Sequence, residues 1–303
     1  MSFLSLLAAL VLGYYRPESQ PDWLRNIYRP YAAWLEQNFN DGRKQHGVLA
    51  WIVAVLLPVI IVGVAYIALY RANAALGALF SVAILYFVLR VGRFAHMPER
   101  ISNKLRENKL DEARKLLEEW QGGDAQAYDT AHIAKVGIES TLRHAHHDLF
   151  APIFWFFLLG PAGALLYRAA YLVKVEWSAK HDGFGDFPSQ AFDWLDWLPA
   201  RFTAASFAVV GDFEDAVYCW RTQAAAWPNE AQGIILASGA GALGVRLGET
   251  LPAQGMLEYR PELGMGDDAD ADYLQSATGL VWRVLVVMMG LLLLLTFAHW
   301  LGN

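Results

Sequence analysis

The 303-residue chain has one cysteine, Cys219, and only 18% charged residues. A single thiol excludes an intrachain disulfide and any CxxC metal or redox motif. The charged fraction falls below the rough quarter found in soluble domains. The charges present sum to −6, with a pI near 5.7, so the basic face that a nucleic-acid partner requires is missing. Sustained strand alternation, internal repeats and low-complexity tracts are also absent. Apolar residues take the place of charge. The chain is 55% hydrophobic and 14% aromatic, with 12 Trp and a mean hydropathy of +0.25. Disordered, collagen-like and coiled-coil chains are excluded by that composition.

The apolar residues are gathered into runs. Gly47–Tyr70 is 24 residues without a charge, about 36 Å of helix and enough to cross a bilayer. Ala72–Leu89 follows as an uncharged run of 18, so the two predict a tight helical hairpin. Pro58 is tolerable inside such a span. Val284–Leu301, with five consecutive leucines, predicts a third span. Leu149–Tyr167 is a further uncharged run, interrupted by Gly160-Pro161 and Gly163. It reads either as one kinked span or as a re-entrant pair of half-helices. Ser2–Tyr15 is short for a span and lacks a basic n-region and a cleavage site, so it reads as a retained anchor or interfacial helix.

Basic residues set the expected orientation. Arg16, Arg25, Arg29, Arg43 and Lys44 precede the first span, Arg71 alone marks the hairpin tip, and seven Lys/Arg between Arg93 and Lys115 follow the second span. The positive-inside rule then places 93–148 in the cytoplasm and the tip outside. The expected fold is all-α, a polytopic integral protein of a bacterial inner membrane with helical cytoplasmic connectors. Its segments are a single membrane domain over 1–303 made of an N-terminal anchor or amphipathic region (1–46), a transmembrane hairpin (47–92), a cytoplasmic helical connector (93–148), a re-entrant or kinked segment with a cleft (149–278), and a C-terminal transmembrane helix (279–303). Within the connector, 98–121 reads as one amphipathic helix stopped at Gly122-Gly123, and a second runs from about Ala125 to Asp148. The bilayer is the expected partner, with a membrane or periplasmic protein as a second and no nucleic acid.

Several constellations bear on chemistry. His144, His147 and Asp148 stand at spacings that seat a metal on one helical face; a polar helix end entering the membrane is the plainer reading, and no metal is expected. Gly239, Gly241 and Gly244 spell GxGxxG, but no βαβ rhythm surrounds them, so they read as a small-residue surface for close helix packing. Asp267, Asp268, Asp270 and Asp272 lack the Gly and Glu of a calcium loop and suit the N-terminus of the last helix. Arg168 either snorkels or binds an anion. Asp193 and Asp196 lie three apart near Arg201 among tryptophans, where unpaired charge is costly.

Four blocks resemble successive signatures of the CobD/CbiB membrane family: Ala151-Pro-Ile-Phe-Trp155, Leu159-Gly-Pro-Ala-Gly-Ala-Leu-Leu-Tyr-Arg168, Leu198-Pro-Ala-Arg-Phe-Thr-Ala204 and Ala237-Ser-Gly-Ala-Gly-Ala-Leu-Gly-Val-Arg-Leu-Gly248. Leu110-Asp-Glu-Ala-Arg114, Glu139-Ser-Thr141 and Arg260-Pro-Glu-Leu-Gly264 match as well. The resemblance implies inner-membrane synthases of cobalamin biosynthesis, which join an aminopropanol-type amine to a corrinoid carboxylate with ATP hydrolysis. It also exposes departures. The Ala-Glu-Asn element of the synthases reads Leu142-Arg143-His144, their Asp-Gly pair reads His147-Asp148, their Asn-Thr-Leu-Asp reads Tyr171-Leu-Val-Lys174, and Phe192 replaces a carboxylate.

Scaffold without ligands is similar to the AmpE branch, implicated in signalling for β-lactamase induction and cell-wall stress. An AmpE-like inner-membrane sensor with a degenerate synthase site is therefore the expectation, and a cobalamin synthase the alternative. No cofactor is expected on the first; ATP and magnesium enter only on the second. Glu139, Arg168, Asp193, Asp196, Arg201 and Arg246 are the candidate cleft, with Asp193 or Glu139 expected to pair with Arg168 or Arg201.

Overall fold

The apolar run 149–167 reverses direction at its middle. The computed structural model describes residues 2–15, 23–41, 44–178, 183–253 and 256–301. In chain order, the described helices are α1 (Ser2–Tyr14), α2 (Trp23–Phe39), α3 (Lys44–Trp51), α4 (Leu57–Ala72), α5 (Ala74–Val88), α6 (Val91–Ala95), α7 (Met97–Arg106), α8 (Leu110–Gln121), α9 (Thr130–Ala145), α10 (Ala151–Trp177), α11 (Asp186–Val210), α12 (Phe213–Gln223), α13 (Glu230–Leu243) and α14 (Ala271–Leu301). The chain divides into two units, Met1–Val91 with His147–Pro199, and Gly92–His146 with Ala200–Asn303. Of the basic residues expected before the first span, Arg16 and Arg43 lie outside the described residues.

In the first unit, α3 and α4 join through a π-helical turn, Ile52–Leu56, into a helix spanning Gln45–Ala72. The wider turn falls just before Pro58, whose ring and missing N–H oppose regular α-helical bonding. Asn73 is extended and caps α5 by accepting from the Ala75 amide at 2.8 Å, which sets the hairpin tip at the expected place. α10 is two half-helices. Gly160 has φ 64° and ψ −153°, a conformation open to glycine, and Pro161 begins the second half. A Cβ on Gly163 would lie 2.1 Å from the Trp155 carbonyl oxygen, an approach that only a folded-back chain makes. Tyr28, Leu35, Trp51, Val55, Tyr167, Val173 and Trp177 belong to this unit's buried core.

In the second unit, α7 and α8 are separate helices, which corrects the single helix expected over 98–121. The chain breaks at Asn108, which takes φ 57°. The second connector helix starts at Thr130, later than expected, because Asp129 caps it by accepting from the His132 amide at 2.8 Å. α9 packs against α14 at Gly137 and Leu274, and against α13 at Leu142 and Gly239. Gly241 sets α13 against the backbone of Asp215 and Ala216 in α12, and Gly244 ends α13 in the left-handed region. The glycines thus work as packing and capping positions.

The all-α expectation needs one correction. Short strands follow α13: β1 (Val245–Arg246) pairs in parallel with β4 (Asp267–Asp268), and β2 (Leu251–Ala253) pairs antiparallel with β3 (Met256–Glu258). Two or three residues per strand are too few for alternation to show in sequence. Asp270 caps α14, accepting from the amides of Asp272 and Tyr273. Gln45–Ala72, Ala271–Ala298 and the folded helical run Thr130–Trp177 are long and apolar enough to cross a membrane. Ile60, Ile61 and Val64 on α4 and Val286 and Leu294 on α14 are exposed, as lipid-facing positions require.

Candidate functional site

The pairing expected of Asp193 or Glu139 with Arg168 or Arg201 is not formed among the described residues; each of the four takes another partner. In the first unit, Arg168 is fully buried and donates from Nη1 to Asp148 Oδ1 at 2.5 Å. It neither snorkels nor pairs with Asp193. The Tyr167 hydroxyl donates to the buried Asp196 at 2.7 Å, and its oxygen lies 2.7 Å from His147 Nδ1. With the one hydroxyl proton given to Asp196, the His147 Nδ1–H is the donor to Tyr167. Tyr167, Tyr171 and Phe192 pack their rings around the imidazole. Asp193 accepts from Lys174 Nζ at 2.7 Å, and Lys174 also lies 4.8 Å from the Phe192 ring centroid. The departure at 174 therefore forms a neutral pair with Asp193 beside the aromatic face that the departure at 192 supplies, and Asp193 is already engaged by a cation.

His144 stacks on Trp120 with ring centroids 5.5 Å apart. In the first unit, His147 turns to Tyr167 and Asp148 to Arg168.

In the second unit, Glu139 is buried on α9 and both its oxygens are used. Oε2 accepts from Arg260 Nη1 at 2.6 Å and Oε1 from the Gly248 amide at 3.0 Å. One turn earlier, buried Lys135 donates to Glu249. Arg260 adds bonds to the carbonyls of Gly248 and Glu249 and lies 5.6 Å over the Trp227 ring. The loop around β2 and β3 is thus strapped to one face of α9 by two crossed ion pairs at positions i and i+4. Beneath it is a cavity of about 180 Å³ whose lining includes Gln121, Tyr128, Glu139, Arg143, Trp227 and Arg260.

Arg201 pairs with Glu230 at 3.0 Å, and Arg246 with Asp268 at 2.9 Å; both pairs are exposed. Glu139 is therefore the one candidate in this unit that lines the cavity. Lys135, Arg143, Trp227 and Arg260 were absent from the expected site. The i, i+4 pair Lys135/Glu139 and the Arg260-Pro-Glu-Leu-Gly264 match were the signals available.

Exposed apolar helices, a broken helical hairpin and buried ion pairs define a helical membrane protein of the kind that holds polar groups inside its fold. The family described as CobD/Cbib protein matches residues 4–281, and the chain belongs to it. A "Cobalamin biosynthesis protein CobD" of Stutzerimonas stutzeri is 33% identical over 306 residues, covering 99% of this chain and 98% of that protein. One of the same description from Chromobacterium violaceum is 36% identical over 205 residues, 67% of this chain and 66% of that protein. A third, from Leptospira interrogans, is 25% identical over 272 residues, 86% and 85% of the two chains. No solved structure matches.

These relatives overturn the AmpE-like signalling expectation. It rested on charge reversals taken as loss of ligands. Lys174 is balanced locally by Asp193, while Glu139 and Arg260, both in matching motifs, remain joined.

Proposed function

We propose that this chain is a synthase of cobalamin biosynthesis, forming an amide between an aminopropanol-type amine and a corrinoid carboxylate at the expense of ATP. The observation that carries the reading is the end-to-end relationship to a protein named for cobalamin biosynthesis, 33% identical across 99% of this chain. The strapped pocket on α9 supports it, because the ion pair that fastens it, Glu139 with Arg260, comes from two of the blocks that match the synthases.

The chemistry asks for three things. The carboxylate must be activated by transfer of a phosphoryl or adenylyl group from ATP. The amine must then attack the acyl carbon with its lone pair, while the activating group leaves with the bonding pair. The amine must also lose a proton. Fixed cations that stabilise developing negative charge are the main protein contribution to such a reaction. Arg260 supplies such a cation here, with Glu139 as its positioning residue, and Arg143, standing where the synthases carry a Glu, adds a second, particular to this chain. Magnesium comes to this reaction with the nucleotide. Asp193 does not fit a magnesium site, since Lys174 already occupies it.

In this reading the protein is a multi-pass protein of the bacterial inner membrane, with 93–148 on the cytoplasmic side where ATP is available. Expression in a strain lacking its cobalamin synthase tests it. Restored growth on a cobalamin-dependent medium is the expected result. Absence of rescue by protein shown to be inserted in the membrane overturns it.

A further inference from the structure

Arg143 stands one turn beyond Glu139 on α9 and lines the same cavity. Its side chain is under-used. Nη2 donates to Ser140 Oγ at 3.3 Å, which is its one hydrogen bond among the described residues, and Nε is buried with no partner. No described carboxylate forms an ion pair with it. A guanidinium carries five N–H donors in a rigid fork and is the side chain best matched to a two-oxygen acceptor. A buried donor left without an acceptor is costly.

The two carboxylates that line the cavity do not supply the acceptor. Glu139 is committed to Arg260 and the Gly248 amide, and Glu258 is exposed. Arg260 adds a second positive charge to the lining. At about 180 Å³ and open to one side, the cavity has room for several waters or for one anionic group, free or carried by a larger molecule that extends out of it.

We infer that this cavity is a binding site for a small oxyanion, a phosphate or carboxylate group, with Arg143 as its principal ligand and Arg260 beside it. The anion completes the donor set of Arg143 and replaces the missing counter-charge. The inference rests on the geometry of the cavity and not on the synthase reading.

Purified protein in detergent is titrated with potassium phosphate, potassium acetate and, at matched ionic strength, potassium chloride, and its thermal unfolding midpoint is followed. Phosphate or acetate should raise the midpoint saturably above chloride. A response to phosphate alone assigns a phosphoryl source for the anion; a response to acetate alone assigns a carboxylate source. Arg143→Gln should abolish the response, whereas Arg100→Gln, in the groove between α7 and α8, should leave it unchanged. Arg143→Lys keeps the charge without the fork and should weaken the apparent affinity about tenfold; it decides the matter where Arg143→Gln does not fold. Equal shifts with chloride, or an unchanged response in Arg143→Lys, overturn the inference. Because binding is read without turnover, failure here leaves the synthase reading standing, and failed growth rescue leaves this site standing.

Discussion

Asp148 and Arg168 are 20 residues apart in sequence and 2.5 Å apart in space, with side chains 2% and 1% exposed. In a straight helix that separation corresponds to about 30 Å. The pair therefore closes the hairpin that Gly160 and Pro161 open. Each charge has lost most of its water, so each depends on the other. Removing one partner of a buried pair costs about 3–5 kcal/mol, because the remaining buried charge loses its nearest counter-charge. Asp148→Asn and Arg168→Gln should each lower stability by that order, and the double variant should cost much less than their sum. A double-mutant cycle on thermal unfolding in detergent measures this. Additive losses would show that the two side chains do not hold the hairpin together.

The glycines of the second unit should separate by what faces them. A Cβ on Gly241 would meet the Asp215 carbonyl oxygen at 2.4 Å, a backbone atom that cannot step aside. On Gly239 it would meet Leu142 Cδ1 at 2.6 Å, the end of a side chain that can rotate. On Gly279 it would meet nothing within 4 Å. Gly241→Ala should therefore destabilise most, by about 1–3 kcal/mol, with Gly239→Ala milder. Gly279→Ala should be neutral or stabilising by up to ~1 kcal/mol, since it removes a helix-interior glycine. Unfolding midpoints in one detergent rank the three. Equal losses at Gly239 and Gly241 would remove the distinction between backbone and side-chain neighbours.

The sequence made the apolar runs, the hairpin tip at Asn73 and the break at Gly160-Pro161 legible, because length without charge and Gly-Pro punctuation are local signals. It also placed the Gly239–Gly244 stretch on a packed helix rather than a nucleotide loop. The pairing of charges was not legible. Arg168 had several carboxylates within a plausible reach, and only the reversal of α10 selects Asp148. Glu139 was expected in a cleft and lines the α9 cavity, but its partner Arg260 lies 121 residues away, across a β-hairpin too short to show in the pattern. The local compensation of Lys174 by Asp193 was hidden for the same reason, and that omission made the site look more degenerate than it is.

Cys219 should be silent in the folded protein. It is fully buried on α12, and burial, with Asp215 nearby, pushes its thiol up to about 11. Thiolate is the reactive form, so near neutral pH the reactive fraction falls by roughly three orders of magnitude or more below the total. Reactivity should rise only as pH climbs toward that value; this group leaves stability unchanged below about pH 8.5, where folded and unfolded thiols are both protonated, and lowers it above that, because the unfolded thiol ionises first. Maleimide at neutral pH should label the denatured chain and leave the native one unlabelled. Prompt native labelling would contradict the burial.

That silence helps a topology measurement. Cysteines placed at Ala72 and Asn108, in a Cys219→Ser background, report the two sides of the membrane through an impermeant thiol reagent applied to intact cells. Ala72 should label and Asn108 should be protected, because the positive-inside rule assigns the Lys- and Arg-rich segment between Arg93 and Lys115 to the cytoplasmic side. The reverse pattern would invert the orientation and put the α9 pocket on the side without ATP.

The strap across α9 gives the sharpest test of which groups serve the reaction. Glu139 holds Arg260 at 2.6 Å, and the guanidinium reaches two backbone carbonyls from the same position. Lysine at 260 keeps the charge but cannot make those bonds together. Arg260→Lys should therefore insert and fold yet slow cobalamin-dependent growth rescue markedly, with synthase turnover reduced by about tenfold or more. Glu139→Gln retains an acceptor for Gly248 or Arg260 but loses the charge, and should fall between wild type and Arg260→Lys. Lys135→Met breaks the companion pair with Glu249, leaves Glu139 and Arg260 joined, and should act through stability rather than turnover. Rescue by Arg260→Lys at the wild-type rate, from equal amounts of protein, would mean that the strap is a structural fastening and that the catalytic cations lie elsewhere.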